Sequence, residues 1–219
     1  MQNGDFKTSI KNVPPQYTIG NQMVYKYDKE TQFWGGNEFL YFENKDIRAA
    51  SNNVARIGTN NDVYSSYLYT NNARGNQIYT LYEDVNGNFV VKNINGFKHE
   101  IEADYAWVYF SLSAPAFQKN KDIYIAGMFN NYSLSPEYKM DYNSEKGIFE
   151  KAVMIKQGFT NFQYRTVDKK GVIDYENAVD GNFYQTENEY TILVYYKESS
   201  DRYQRVIGKG NGNSINIVN

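Results

Sequence analysis

The sequence predicts an all-β chain of two consecutive β-sandwich domains of immunoglobulin-like type, and three observations carry that prediction. Apolar residues recur with period two far more often than with the helical period, as in half-buried strands. The strand-like runs are short and are separated by joints rich in Gly, Asn, Asp and Ser. The aromatic content is 22 Tyr and 13 Phe against 2 Trp. A tyrosine has a ring to bury and a hydroxyl to leave wet, which suits strands with one solvated face. A chain of 219 residues holds one large or two ordinary domains of about 100 residues, each with its own core.

In the first half, strands are predicted at residues 22–27 (QMVYKY), 38–42 (EFLYF), 53–57 (NVARI), 63–69 (VYSSYLY), 77–84 (QIYTLYED) and 88–93 (NFVVKN). The last two flank Asn86-Gly87, a pair that accepts positive φ at both central positions and so predicts a two-residue hairpin. The segment 44–51 (NKDIRAAS) is the one able to make a turn of helix. In the second half the strands are 105–112 (YAWVYFSL), 121–127 (KDIYIAG), 137–142 (EYKMDY), 147–155 (GIFEKAVMI), 161–168 (NFQYRTVD) and 189–196 (EYTILVYY). Turn-rich joints separate them at 144–147, 157–158 and 169–171. The domain boundary is expected in KHEIEAD, giving a first sandwich over 1–100, a second over 103–209, and a Gly- and Asn-rich tail over 210–219 that frays.

With 23 basic and 25 acidic residues, net −2, the chain has no long-range field for a phosphate backbone, so nucleic acid is not an expected partner. No apolar run approaches the roughly 18 residues that a membrane-spanning helix needs, so no membrane insertion is expected. The opening MQNGDFKTSI lacks the basic start and apolar segment of a signal peptide and reads as a start inside a longer protein. There is no Cys, hence no disulfide framework and no thiolate chemistry, and the redox compartment stays open.

Catalytic and metal constellations are equally sparse. The single histidine, His99, can complete neither a His/Cys metal cluster nor a Ser-His-Asp triad, and reads as a surface or interface residue. Glu100, Glu102 and Asp104 would lie on one face of an extended segment and could offer oxygens to calcium, but no loop with calcium-ligand spacing accompanies them, so a solvated acidic face is the reading. A glycosidase pair of carboxylates is not identifiable among 25 acids. The stretches 208–214 (GKGNGNS) and 33–39 (FWGGNEF) read as a loop and a turn or bulge, and Arg202 and Arg205 as a solvated strand face. No catalytic residue, metal or cofactor is therefore expected.

Residues 123–134 (IYIAGMFNNYSL), followed by 147–171 (GIFEKAVMIKQGFTNFQYRTVDKKG), resemble the early-set sandwich of glycogen- and starch-binding modules. There a strand leads to Gly-x-Phe-Asn-x-Trp, and aromatic faces stack on sugar rings. The resemblance implies a carbohydrate site at Phe129, Asn131 and Tyr132, with Tyr132 where the family has Trp. It departs from the pattern at Asp168, Lys169 and Lys170, where a second stacking aromatic would be wanted.

A broader resemblance spans nearly the whole chain. Residues 23–57, 79–89 (YTLYEDVNGNF), 102–112 (EADYAWVYFSL), 123–134, 156–165 (KQGFTNFQYR) and 184–208 (YQTENEYTILVYYKESSDRYQRVIG) together resemble the C-terminal part of the plug protein of the type IX secretion system of Bacteroidetes. That family usually carries a signal peptide and a further N-terminal β-domain. The resemblance implies a non-enzymatic periplasmic subunit at the inner face of the outer membrane, whose partner is the large translocon β-barrel that it closes when no substrate passes. It does not identify the residues that meet the barrel. The paired asparagines Asn60-Asn61, Asn71-Asn72 and Asn130-Asn131 read as turn chemistry rather than contact loops.

Overall fold

The computed structural model describes residues 1–117 and 121–215. In chain order the strands are β1 (Tyr17–Ile19), β2 (Gln22–Val24), β3 (Leu40–Glu43), β4 (Val54–Asn60), β5 (Val63–Leu68), β6 (Asn71–Asn72) and β7 (Phe89–Val91). They continue as β8 (Tyr105–Ser113), β9 (Asp122–Ala126), β10 (Asp141–Asn143), β11 (Ile148–Lys156), β12 (Gly158–Val167), β13 (Glu189–Tyr196) and β14 (Arg205–Asn213). One turn of α-helix, α1 (His99–Glu102), interrupts them. The chain is thus all-β, as its alternation predicts, and it divides into two units: Gly36–Thr186, and Met1–Gly35 with the segment from Glu187 onward.

The larger unit is a sandwich. One sheet runs β10-β11-β8-β5-β4, with β6 pairing β8, and the other runs β3-β12-β7, with β9 pairing β12. Along β8 the alternation is strict: Ala106, Val108, Phe110 and Leu112 are buried, while Tyr105, Trp107, Tyr109, Ser111 and Ser113 face outward. Phe110 meets the other sheet through edge contacts to Phe42 (ring centroids 5.9 Å) and Phe162 (5.0 Å). Ile123, Ile125, Val153, Ile155 and Val179 are among the buried residues that pack with them in this core. At the sandwich edge the buried Arg74 and Asp180 pair through Nε to Oδ1 and Nη2 to Oδ2, both at 3.2 Å. Asp180 also accepts from the Tyr164 N–H at 2.7 Å, and Arg74 donates to the Glu38 carbonyl at 2.9 Å.

This topology corrects the expected division into sandwiches at 1–100 and 103–209. β4 and β5 precede the expected boundary, yet share a sheet with β8, β10 and β11, and β3 and β7 flank β12. Residues 98–104 are therefore an internal connection, of which α1 is part. The physical reason is that alternation reveals which face of a strand is buried but not which strand lies beside it. The parallel pairing of β5 with β8, register Tyr67 to Tyr109, has no local signal.

Local differences have local causes. Residues 77–84 form no strand: Ile78, Leu81 and Tyr82 stay exposed, and the backbone is tied instead by Tyr79, whose hydroxyl donates to the Glu38 carboxylate, and by Asp84, which accepts from the Phe39 N–H at 2.6 Å. Asn86 and Gly87 do take positive φ, 52° and 82°, but join no hairpin; in this unit a two-residue hairpin turn is formed instead by Asn61-Asp62, with φ of 47° and 64°, between β4 and β5. Residues 44–51 make turns and no helix, and the short 3-10 turn Pro136–Tyr138 takes up the first residues of the expected strand 137–142.

In the smaller unit β1 pairs β2 across Gly20, and β13 pairs β14 with a bulge between Val194 and Tyr195. Gln2 bridges to Tyr190, so the first residues add a short third edge to β13. The expected fraying tail is corrected in part: residues 210–213 belong to β14, paired to Glu189–Ile192, while 216–219 lie outside the described residues.

Surface ion pairs set the pH response. Asp122 is held below its ordinary value by its hydrogen bond to Lys139 (2.8 Å) and then by Lys169, against the opposing effect of burial. Asp174 is lowered by Lys121, and Glu150 by Lys146. A carboxylate whose folded pKa is depressed stabilises fully above its unfolded value and loses that contribution as pH falls through the folded one. Stability is expected to hold from neutral pH down to the ordinary carboxylate values of 3.8 and 4.5 and to fall below them. Lys139 is raised by Asp122, so its share is present below 10.5 and is lost as pH rises past that value. Urea midpoints measured across pH check both limbs, and a midpoint unchanged below pH 3.8 would contradict them.

Candidate functional site

The loop after β9 is built for burial. Gly127 leads into the 3-10 turn Met128–Asn130, and the buried Asn130 accepts from the Gly127 N–H (3.1 Å) and donates to the Ile125 carbonyl (2.9 Å). Asn131 and Tyr132 then take left-handed φ of 50° and 51°. That reversal turns the Tyr132 ring inward onto Phe39, Ala126 and Met128, leaving it 1% exposed, with the Arg165 guanidinium 4.6 Å from the ring centroid. The Asn86-Gly87 turn closes over it: the Met128 N–H donates to the Gly87 carbonyl, and a Cβ on Gly87 would clash with the Tyr132 hydroxyl and lie 2.7 Å from the Phe39 ring. Gly87→Ala is therefore expected to destabilise by about 1–3 kcal/mol, from left-handed strain together with overpacking. A thermal melt checks this, and an unshifted midpoint would contradict it.

This corrects the sugar-site expectation. Tyr132 offers no stacking face, Phe129 packs edge-on against Tyr138 beside the core (6.4 Å), and Asn131 is exposed at the turn. The three residues are adjacent in the loop but present no common platform. Asp168 likewise caps its own turn, accepting from the Lys170 and Val172 N–H groups, and Lys169 pairs with Asp122. The acids Glu100, Glu102 and Asp104 do not share one extended face, because 99–102 is helical and the Glu102 carboxylate accepts from the Phe97 and Lys98 N–H groups at 2.6 and 2.8 Å. Among the described residues no group of three or more His, Asp or Glu side chains is placed to hold a metal ion. Nor is any described helix long and apolar enough to cross a membrane.

The outward face of the six-stranded sheet carries a different constellation. Register places Arg56 of β4 beside Tyr67 of β5, and Tyr67 beside Tyr109 of β8. The guanidinium lies 3.4 Å from the Tyr67 ring centroid, and Tyr67 stacks on Tyr109 at 4.3 Å with 14° between the planes. Gly58 gives this stack room, since a Cβ there would sit 3.3 Å from the Tyr67 ring. Burial, then the neighbouring Tyr67, pushes the Tyr109 phenol above its ordinary value, so it stays neutral. The row continues along β8 with exposed Trp107 and Tyr105. Beside the stack opens a groove of about 760 Å³, whose far wall holds Asp141, Lys146, Glu150 and Lys151. Sequence reading places Tyr67 and Tyr109 on strands but does not bring the three side chains together, because their adjacency depends on pairing register.

No model of a known protein family matches the chain, and no curated protein does. The fold is similar to the crystal structure of a hypothetical protein from Parabacteroides merdae ATCC 43184, a member of the Bacteroidetes, with a TM-score of 0.86 and 32% identity over 97% of this chain. The chain spans about half of that protein, 53% of its length.

Proposed function

We propose that this chain is a non-enzymatic, protein-binding β-module that acts as the periplasmic plug of a type IX secretion translocon, docking on the inner mouth of the outer-membrane barrel. The observation that carries the reading is the outward row Arg56, Tyr67, Tyr109, Trp107 and Tyr105 across β4, β5 and β8. Arg, Tyr and Trp are the residue types that concentrate binding energy at protein interfaces, and a sheet presents them on a rigid support. A barrel wide enough for folded cargo leaks small solutes unless something broad and stiff covers it. The six sequence blocks that resemble the plug family and the Bacteroidetes origin of the structural relative both favour this assignment over other protein-binding roles. The carbohydrate alternative loses its platform with the burial of Tyr132.

The sealing role is tested by solute efflux from vesicles that contain the purified translocon barrel. Added chain is expected to slow efflux. Efflux that is unchanged at saturating chain would count against sealing.

A further inference from the structure

Of the three cations that line the groove beside the aromatic stack, Arg56 is the one with no carboxylate of a described residue within ion-pair distance. Lys146 lies 2.8 Å from Glu150, and Lys151 lies 3.3 Å from Asp141, so both lysines on the far wall are paired. The Arg56 side chain makes no hydrogen bond or ion pair with any described residue; its guanidinium stacks on Tyr67 and acts electrostatically on the neighbouring Tyr109 phenol. The stack orders the guanidinium plane, so its fork of N–H donors is oriented before a ligand arrives.

We infer that Arg56 is the anchor of this groove and that it receives a carboxylate side chain, Asp or Glu, from a partner polypeptide, held by paired N–H···O bonds. Two features choose this occupant. The first is charge complementarity: with the lysines cancelled by Asp141 and Glu150, the groove offers a single positive charge, which one carboxylate matches. A doubly charged phosphate would meet the repulsion of both acids twice over. The second is the lining, in which Leu68, Tyr142 and Ala152 provide apolar surface for the stem and neighbours of such a residue. This inference rests on the protein-binding reading and adds to it the charge of the partner's contact residue. Arg56 thereby becomes the specificity element of the outward face, with Tyr67 and Tyr109 as the posts that position it.

The test is nuclear magnetic resonance of the Arg56 Nε–Hε group, with the singly charged peptide acetyl-Ser-Ala-Glu-Ala-Ser-amide as probe, its Glu-to-Gln counterpart as control, and glucuronate as the sugar-acid arm. The acidic peptide is expected to shift the Arg56 signal saturably and the amide peptide to leave it unmoved. Arg56→Lys keeps the charge but loses the planar fork, and is expected to weaken binding about tenfold or more with an unchanged melting temperature. Equal binding by the lysine variant, shifts confined to Lys146 and Lys151, or a response to glucuronate without one to the peptide would each overturn the inference. Failure here is separable from failure of the plug reading. If Arg56→Lys still captures the barrel as well as the parent does, the anchor is wrong and the plug stands; if the peptide docks on Arg56 while the parent captures no barrel, the reverse holds.

Discussion

Replacing Asp180 by alanine is expected to lower the unfolding free energy by about 3–5 kcal/mol. The substitution leaves the Arg74 guanidinium buried with the Glu38 carbonyl as its remaining acceptor among the described residues, and removes the acceptor of the Tyr164 N–H. The Tyr164 phenol, already pushed well above its ordinary value by burial and then by Asp180, remains neutral and keeps its bond to the Asn71 side chain at 2.8 Å. The pair as a whole stabilises far less than either single deletion suggests, because bringing both charges out of water offsets most of their attraction. The double variant Arg74→Met/Asp180→Leu is therefore expected to be more stable than Asp180→Ala. Urea unfolding of both variants decides the matter, and a single-variant loss below about 1 kcal/mol would show that the pair is more hydrated than its burial indicates.

Phe110→Ala is expected to cost about 3–5 kcal/mol. Phe110 is 1% exposed and is the ring through which the six-stranded sheet meets Phe42 and Phe162, so its removal leaves a cavity that neither sheet can close without shifting. Its neighbour Trp107, two residues earlier and on the opposite face, supplies the contrast: Trp107→Ser is expected to change stability by about 0.5 kcal/mol or less. Thermal unfolding of the two variants side by side measures the sandwich directly. Comparable losses would mean that the outward row is itself part of a core.

Much of the fold was legible because the strands obey the alternation that half-burial requires. β8, β11 and β13 appear in the sequence within a residue or two of their ends, since β8 and β13 have apolar side chains at every second position over eight or nine residues and β11 breaks its apolar row only at Lys151. What sequence alone misses is non-local. The parallel seam of β5 on β8 joins strands from both expected sandwiches in one sheet, and no turn or periodicity announces it. The run 77–84 alternates like a strand but is held by the side chains of Tyr79 and Asp84 rather than by a ladder. Tyr132 has the composition of a platform residue, and the left-handed φ of Asn131 and Tyr132, a backbone property, turns it inward. The Arg56 stack was hidden for the converse reason: three ordinary surface residues become one feature only when register is known.

The proposed docking sets the outward sheet face, with Arg56, Trp107 and Tyr105, against the translocon barrel. It is tested most directly by immobilising the purified chain, passing detergent-solubilised outer membranes of the source bacterium over it, and identifying the retained proteins by mass spectrometry, with Arg56→Lys and Tyr105→Ser/Trp107→Ser in parallel. Retention of one very large β-barrel protein by the parent, reduced in both variants, is the predicted result. Absence of that barrel from the parent's eluate, or equal retention by all three, would contradict the account.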